Sequence, residues 1–78
     1  MFVEQVGKEL KSIRDRKGLT LEEASKIVGI HKNTLSIYEN NPDILKLGKL
    51  FNILNKYNFP PDIFFKNISE YIHIVKGI

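Results

Sequence analysis

Residues 21–39 read LEEASKIVGIHKNTLSIYE, and the way this stretch folds decides the rest of the chain. Ala24, Ile27 and Val28 recur at helical spacing, Gly29 stands where a left-handed residue would stop the helix, and Leu35 and Tyr38 restart the period after Ile30. Two short helices joined by so tight a turn, a helix-turn-helix, must cross steeply. The crossing leaves Lys32, Asn33, Ser36, Ile37 and Asn40 on a face of the second helix that the core does not claim. A helix free on one face and rich in hydrogen-bonding groups at its start has the width to enter a DNA major groove.

Upstream, Val3, Val6, Leu10 and Ile13 fall at spacings of three and four with charges between them, and Gly18 follows the basic run Arg14 to Lys17. This predicts an amphipathic first helix with a glycine stop, in which Gly7 marks a close-packing point. Thr20 and Glu23 then stand in the order of a capping box, which fixes the start of the second helix. Glu22 and Glu23 are not a catalytic pair, because adjacent helical positions point about 100° apart and cannot converge on one substrate.

Downstream, Asn41 is a candidate cap and Pro42 suits a first helical position, so a fourth helix is expected to follow. Leu47, Leu50, Phe51, Leu54 and Tyr57 form its apolar stripe, read as core, with Lys46, Lys49, Asn52 and Lys56 outside it. After Phe59, Pro60 and Pro61, residues 62–65 suit one short helical turn that closes the core with Ile63 and Phe64 or Phe65. Residues 67–78 fit a strand or a helix, with β-branched density slightly favouring the strand. Their apolar character predicts packing on the domain or on a partner subunit.

With 78 residues, this is one domain with a modest core, which a second subunit would assist. The absence of cysteine excludes disulfides and thiolate metal sites, and His31 and His73, without an acidic cluster, read as ordinary residues rather than ligands. A net charge of +3 permits polyanion binding without arguing for it alone. There is no phosphate-cradling glycine loop and no nucleophile with a credible base, so the reading predicts no enzyme, cofactor, metal or small-molecule ligand. The sequence has neither a secretory signal nor an apolar run of membrane-spanning length, which predicts a cytoplasmic protein.

The segments VGKELKSIRDRKGLT, LEEASKIVGI and HKNTLSIYENN, with the leucine-rich helix after them, resemble the helix-turn-helix domains of the XRE family, the lambda-type phage repressor and Cro class. The likeness spans about Val6 to Phe65 and rests on Ser25, Gly29, Val28, Ile30, Leu35 and Tyr38. It implies an all-α fold of five helices over residues 1–66; residues 67–78 lie beyond the likeness and are, from their own apolar character, a short segment and candidate dimerisation element. It also implies sequence-specific DNA binding by a dimer, usually for transcriptional control; a repressor is the expectation taken, and the sequence does not separate it from a restriction-modification controller, an antitoxin or an activator. Lys32, Asn33 and Ile37 occupy positions that contact base edges. Thr20, His31, Ser36, Asn40 and Lys46 occupy phosphate-contacting or supporting positions, and Arg14 and Glu39 match a buried ion pair. Three departures stand out. Leu21 replaces a glutamine that touches DNA, Ala24 and Ser25 replace a leucine and an alanine, and His31 replaces a serine or threonine cap.

Side-chain chemistry gives the base-reading roles their content: Asn33 suits a bidentate adenine contact, Lys32 can donate to guanine, and Ile37 can pack on a thymine methyl. One such module reads few base pairs, so a homodimer on an inverted repeat in double-stranded DNA is expected, with half-sites about one turn apart. The alternative is a protein–protein interaction module on the same scaffold, which the apolar Leu21 and Ile37 favour and Lys32 and Asn33 oppose.

Overall fold

The computed structural model describes the backbone of residues 2–75 and the side chains of residues 4–69. The chain is all-α, with α1 at Phe2–Arg16, α2 at Leu21–Val28, α3 at Lys32–Asn40, α4 at Leu47–Lys56 and α5 at Pro61–Val75. A single 3-10 turn, η1, spans Pro42–Ile44, and no strand occurs among the described residues.

Backbone chemistry at the helix ends follows the sequence closely. Gly18 takes φ +70°, its N–H donates to the Asp15 carbonyl at 2.9 Å and the Leu19 N–H to the Arg14 carbonyl at 3.1 Å, the paired bonds of a Schellman stop. Gly29 stops α2 at φ 72°. Asn58 does the same for α4 at φ 59°, a conformation asparagine tolerates better than most residues. At the start of α2 the expected capping box is complete: Thr20 Oγ1 accepts from the Glu23 N–H at 3.1 Å, and the Thr20 N–H donates to Glu23 Oε1 at 2.9 Å. That second bond holds the Glu23 carboxyl below its usual range.

One core fills the space between the helices. Val6, Leu10 and Ile13 of α1, Ala24 and Val28 of α2, Ile30 in the turn, Leu35 and Tyr38 of α3, Leu50, Ile53, Leu54 and Tyr57 at α4, and Phe64 and Ile68 of α5 are all buried. Helix α1 packs on α3 and α5, while α2 packs on α3 and α4. Gly7 is where α1 comes closest to α3. A Cβ at this position would sit 2.9 Å from the Glu39 carbonyl carbon and 3.1 Å from the Tyr38 carbonyl oxygen, so no side chain fits without pushing the helices apart.

The structure corrects several expectations. The fourth helix does not follow Pro42: this proline opens η1, Asn41 makes no side-chain cap, and the extended backbone at Leu45 and Lys46 delays α4 until Leu47. Pro42 is buried, which ties η1 down and leaves the next turn to start afresh. Helix α4 faces the core through Leu50, Ile53, Leu54 and Tyr57, so that Leu47 (60% exposed) and Phe51 (40%) lie outside it while Ile53 is fully inside. In the helix-turn-helix, Ile27 is exposed although it shares the helical period of Ala24 and Val28. Finally, α5 is fifteen residues long, not one turn, and it is helical from position 67 to Val75, where a strand had been slightly favoured. The buried pair Phe64 and Ile68, four residues apart, sets a helical period, and Asn67 Nδ2 donates to Glu9 Oε2 at 3.0 Å. Of residues 62–65, Phe64 enters the core, Phe65 is half-buried against it and Ile63 faces solvent. Residues 76–78 of the C-terminal segment lie outside the described residues.

Candidate nucleic-acid interface

Helix α3 divides into an inner and an outer face. Leu35, Tyr38 and Glu39 are buried, Lys32, Asn33, Ile37 and Asn40 are exposed, and Ser36 is half-buried at the border. Asn33, Ile37 and Asn40, at spacings of four and three, line the outer face, with Lys32 beside them in the first turn. Among the described residues no hydrogen bond engages the Lys32 or Asn33 side chain, so both are available to an external partner. Asn40 is partly committed: its Nδ2 donates to the Ser36 carbonyl at 2.8 Å and lies 3.3 Å from Ser36 Oγ.

The start of α3 is capped by an imidazole. His31 Nδ1 accepts from the Asn33 N–H at 3.1 Å, taking the part that serine or threonine oxygen plays at other helix starts. Neutral His31 must therefore carry its proton on Nε2, and this N–H is on an exposed side chain. The replacement of serine or threonine by histidine thus keeps a cap rather than losing one. Leu21 packs half-buried against the core, so the first position of α2 presents no polar group where the family has glutamine. Ala24 is fully buried and Ser25 half-buried, as a close approach of α2 to the core requires.

The outer face of α3 is held in place from within. Arg14 Nε donates to Glu39 Oε2 at 2.8 Å and Nη2 to Oε1 at 3.1 Å, a bidentate pair whose Glu39 is 5% exposed. Arg14 Nη1 also donates to the Leu19 carbonyl at 2.8 Å, so one guanidinium joins α1, the α1–α2 turn and the end of α3. The hydrogen bond to Glu39 pushes the Arg14 pKa further up. Thr20 is committed to the α2 cap, and Lys46 is exposed at the N-cap position of α4, where no side chain closes the helix start. Lys49 is exposed in the same first turn. These uncapped amides and flanking lysines make the start of α4 an anion-attracting helix end.

No cluster of histidine, aspartate and glutamate among the described residues could hold a metal ion. Among the described residues no helix is long and apolar enough to cross a membrane.

The helix-turn-helix family HTH_3 matches residues 10–64, from the buried Leu10 of α1 to the buried Phe64 of α5. The chain belongs to this family. Within the helix-turn-helix relatives, it is 40% identical over 50 residues to antitoxin HipB of Escherichia coli, covering 64% of this chain and 57% of HipB. It is 40% identical over 53 residues to antitoxin PezA of Streptococcus pneumoniae, covering 68% of this chain and 34% of PezA. The HTH-type transcriptional regulator ImmR of Bacillus subtilis is 40% identical over 58 residues, covering 67% of this chain and 46% of ImmR. The chain thus spans roughly a third to just over half the length of these curated relatives. In fold, it superposes on a point variant of the restriction-modification controller protein C.Esp1396I with a TM-score of 0.86 and 24% identity, covering 92% of this chain and 94% of that one. A second C.Esp1396I variant aligns with a TM-score of 0.85. The helix-turn-helix architecture is therefore shared along nearly the whole chain.

Two features of this surface had no signal in the sequence pattern used to find it. The capping role of His31 requires the imidazole to fold back over its own helix, which composition does not disclose. The exposure of Leu47 and Phe51 depends on how α4 is rotated against its neighbours, which the spacing of its apolar residues does not decide.

Proposed function

We propose that this chain is a sequence-specific double-stranded DNA-binding transcriptional regulator, a cytoplasmic repressor and not an enzyme, acting as a homodimer on an inverted repeat. The observation that carries the reading is the outer face of α3: capped, polar at its start, and exposed at Lys32, Asn33 and Ile37 while its inner face is locked to the core. An α-helix has the width to enter the major groove, and its first turn is the part that reaches base edges.

In this mechanism α3 enters the groove with its N-terminal turn foremost. Asn33 pairs with the N6 and N7 edge of an adenine, Lys32 donates to a guanine, and Ile37 packs on a thymine methyl. Phosphate contacts come from the exposed His31 Nε2–H, from Lys46 and the open amides of α4, and from Ser36 and Asn40, while Thr20 supports the start of α2. The Arg14–Glu39 pair touches no DNA and sets the angle at which α3 leaves the domain. The relatives' names support regulation, since one is a transcriptional regulator and two are antitoxins.

A second reading, a protein-binding module, has its own support in Ile27 (45% exposed) and Ile37 (46%), apolar side chains that face solvent in the helix-turn-helix. Titration of labelled duplex at stepped salt concentrations separates the two. The DNA reading expects log affinity to fall linearly with log salt, at about 0.9 per phosphate neutralised. Affinity for duplex that is absent at low salt, or indifferent to salt, would favour the protein-binding reading.

A further inference from the structure

The first turn of α3 carries Lys32 and Asn33, and little inside the chain holds it. The buried side chains of α3 are Leu35, Tyr38 and Glu39, all from the fourth position on, whereas Lys32 and Asn33 are exposed and Thr34 is half-buried. Of the N–H groups that open the helix, that of Asn33 alone has a partner among the described residues, and the partner is His31 Nδ1 at 3.1 Å. The residue whose backbone this bond pins is also the one whose side chain suits an adenine edge.

The chemistry of this cap differs from that at the neighbouring helix starts. Thr20 caps α2 with a hydroxyl, which does not titrate near neutral pH, and α4 has no side-chain cap. At α3 the cap is an imidazole, the side chain that changes charge between about pH 5 and 8. Nδ1 accepts a hydrogen bond only while it keeps its lone pair, and an imidazolium carries N–H on both nitrogens. Capping and a second proton are therefore exclusive, and the added charge would stand at the positive end of the α3 dipole.

Nothing charged around the turn compensates. His31 is exposed and makes no ion pair among the described residues. The charged residues on the two helices it joins are Glu22, Glu23 and Lys26 on α2 and Lys32 and Glu39 on α3. Both glutamates of α2 lie in its first turn, at the far end from His31, and Glu39 is bound to Arg14. Lys26 in the last turn of α2 and Lys32 in the first turn of α3 are cations, which offer a second proton on the ring no partner.

We infer that His31 is a positioning residue whose protonation releases the first turn of α3, so that sequence reading weakens in mild acid while the hold on phosphates does not; the inference rests on the DNA reading above. At higher pH the neutral ring holds the Asn33 N–H through Nδ1 and keeps an Nε2–H for a phosphate. As the pH falls the ring still donates to a phosphate, now as a cation, but the Asn33 N–H has lost its acceptor. The contribution of the cap is thus present at neutral and alkaline pH and lost on acidification. A serine, threonine or asparagine at this position would cap the same helix without that dependence.

The first arm of the test uses no DNA. Nitrogen-15 NMR of the full chain follows the His31 ring and the Asn33 amide between about pH 5 and 8, in the parent and in His31→Asn. Neutral His31 is expected as the Nε2–H tautomer, and the Asn33 amide resonance is expected to move with the ring in the parent and to stand still in the variant. In the second arm, the parent, His31→Asn and His31→Ala are titrated with a duplex selected from a randomised library and with a scrambled duplex of the same length, at both ends of that pH range. The preference of the parent for the selected duplex is expected to fall about fivefold on acidification, the effect of losing one N-cap, while its affinity for the scrambled duplex holds or rises with the added charge. His31→Asn is expected to keep its preference at both pH values and His31→Ala to show the lower preference at both, with far-UV circular dichroism establishing that each is folded. His73 remains in every variant, so a change common to all of them does not belong to His31. An Nδ1–H tautomer, an Asn33 amide indifferent to the ring, or a preference that falls equally in the parent and in His31→Asn would overturn the inference. A parent that binds no duplex at either pH would overturn the regulator reading and the reading role of His31 with it, and the NMR arm sets that failure apart from a failure of the cap.

Discussion

Replacing Arg14 with alanine is expected to remove most of the stability of the domain. The guanidinium makes two charge-assisted bonds to Glu39, at 2.8 and 3.1 Å, and a third at 2.8 Å to the Leu19 carbonyl. Because Glu39 is only 5% exposed, truncating its partner leaves a carboxylate with little access to water. Breaking a buried pair from one side costs about 3–5 kcal/mol, and the orphaned carbonyl adds about 1 kcal/mol. A single-core domain of this size has about 3–5 kcal/mol in total, so the variant should be largely unfolded at 25 °C. The double variant Arg14→Met with Glu39→Met should regain most of the loss, since removing both charges removes the desolvation penalty with the attraction. Urea denaturation followed by far-UV circular dichroism, run on the parent, on Arg14→Met and Glu39→Met singly and on the double, gives the coupling energy. If Arg14→Ala costs less than about 1 kcal/mol, the pair behaves like a surface salt bridge and the reasoning is refuted.

Other perturbations follow from the same geometry. Burial pushes the Tyr57 phenol up from 10.0 to about 12, so the folded chain holds this proton when the unfolded chain has released it. Its contribution is intact below about pH 10 and is lost between pH 10 and 12, by about 2–3 kcal/mol. Tyr57→Phe should abolish that part of the alkaline loss in urea melts at pH 7 and 11. At pH 7 it should cost almost nothing, because the buried hydroxyl has no hydrogen-bond partner among the described residues; a loss above about 1 kcal/mol there contradicts this. Gly7→Ala should destabilise by about 1–3 kcal/mol through the backbone of α3, and an unchanged melting temperature would show that α1 yields freely. Asn33→Ala should cost about 1–3 kcal/mol at a single base pair and relax preference there, whereas Lys46→Ala should weaken every sequence and reduce the salt slope by about one. Duplex titrations across point-substituted sites distinguish the two patterns, and a uniform loss for Asn33→Ala would deny it a base-reading role.

Much of the fold was legible because it rests on local chemistry. Gly18, Gly29 and the Thr20–Glu23 box mark helix ends that short-range sterics and hydrogen bonds decide, and the period of Val6, Leu10 and Ile13 places α1 against the core. What was not legible depends on tertiary context. Pro42 could open a helix or a single 3-10 turn, and the extended backbone at Leu45 that ends the turn is not a property of the sequence window. The β-branched residues after Asn67 favour a strand in isolation, but Ile68 under the core and Asn67 on Glu9 extend α5 through them. Within the interface, Lys32, Asn33 and Ile37 could be placed on one outer face from spacing alone. The cap from His31 could not, since it depends on a rotamer that brings Nδ1 to the Asn33 N–H.

The central claim, that α3 reads DNA sequence on a two-fold site, is tested most directly by selecting bound duplexes from a randomised library with the purified chain at moderate salt. The account predicts enrichment of an inverted repeat whose half-sites lie about 34 Å apart, centre to centre. Recovery of no enriched sequence, from protein that is folded and dimeric, would contradict it and leave the helix-turn-helix as a scaffold for binding another protein.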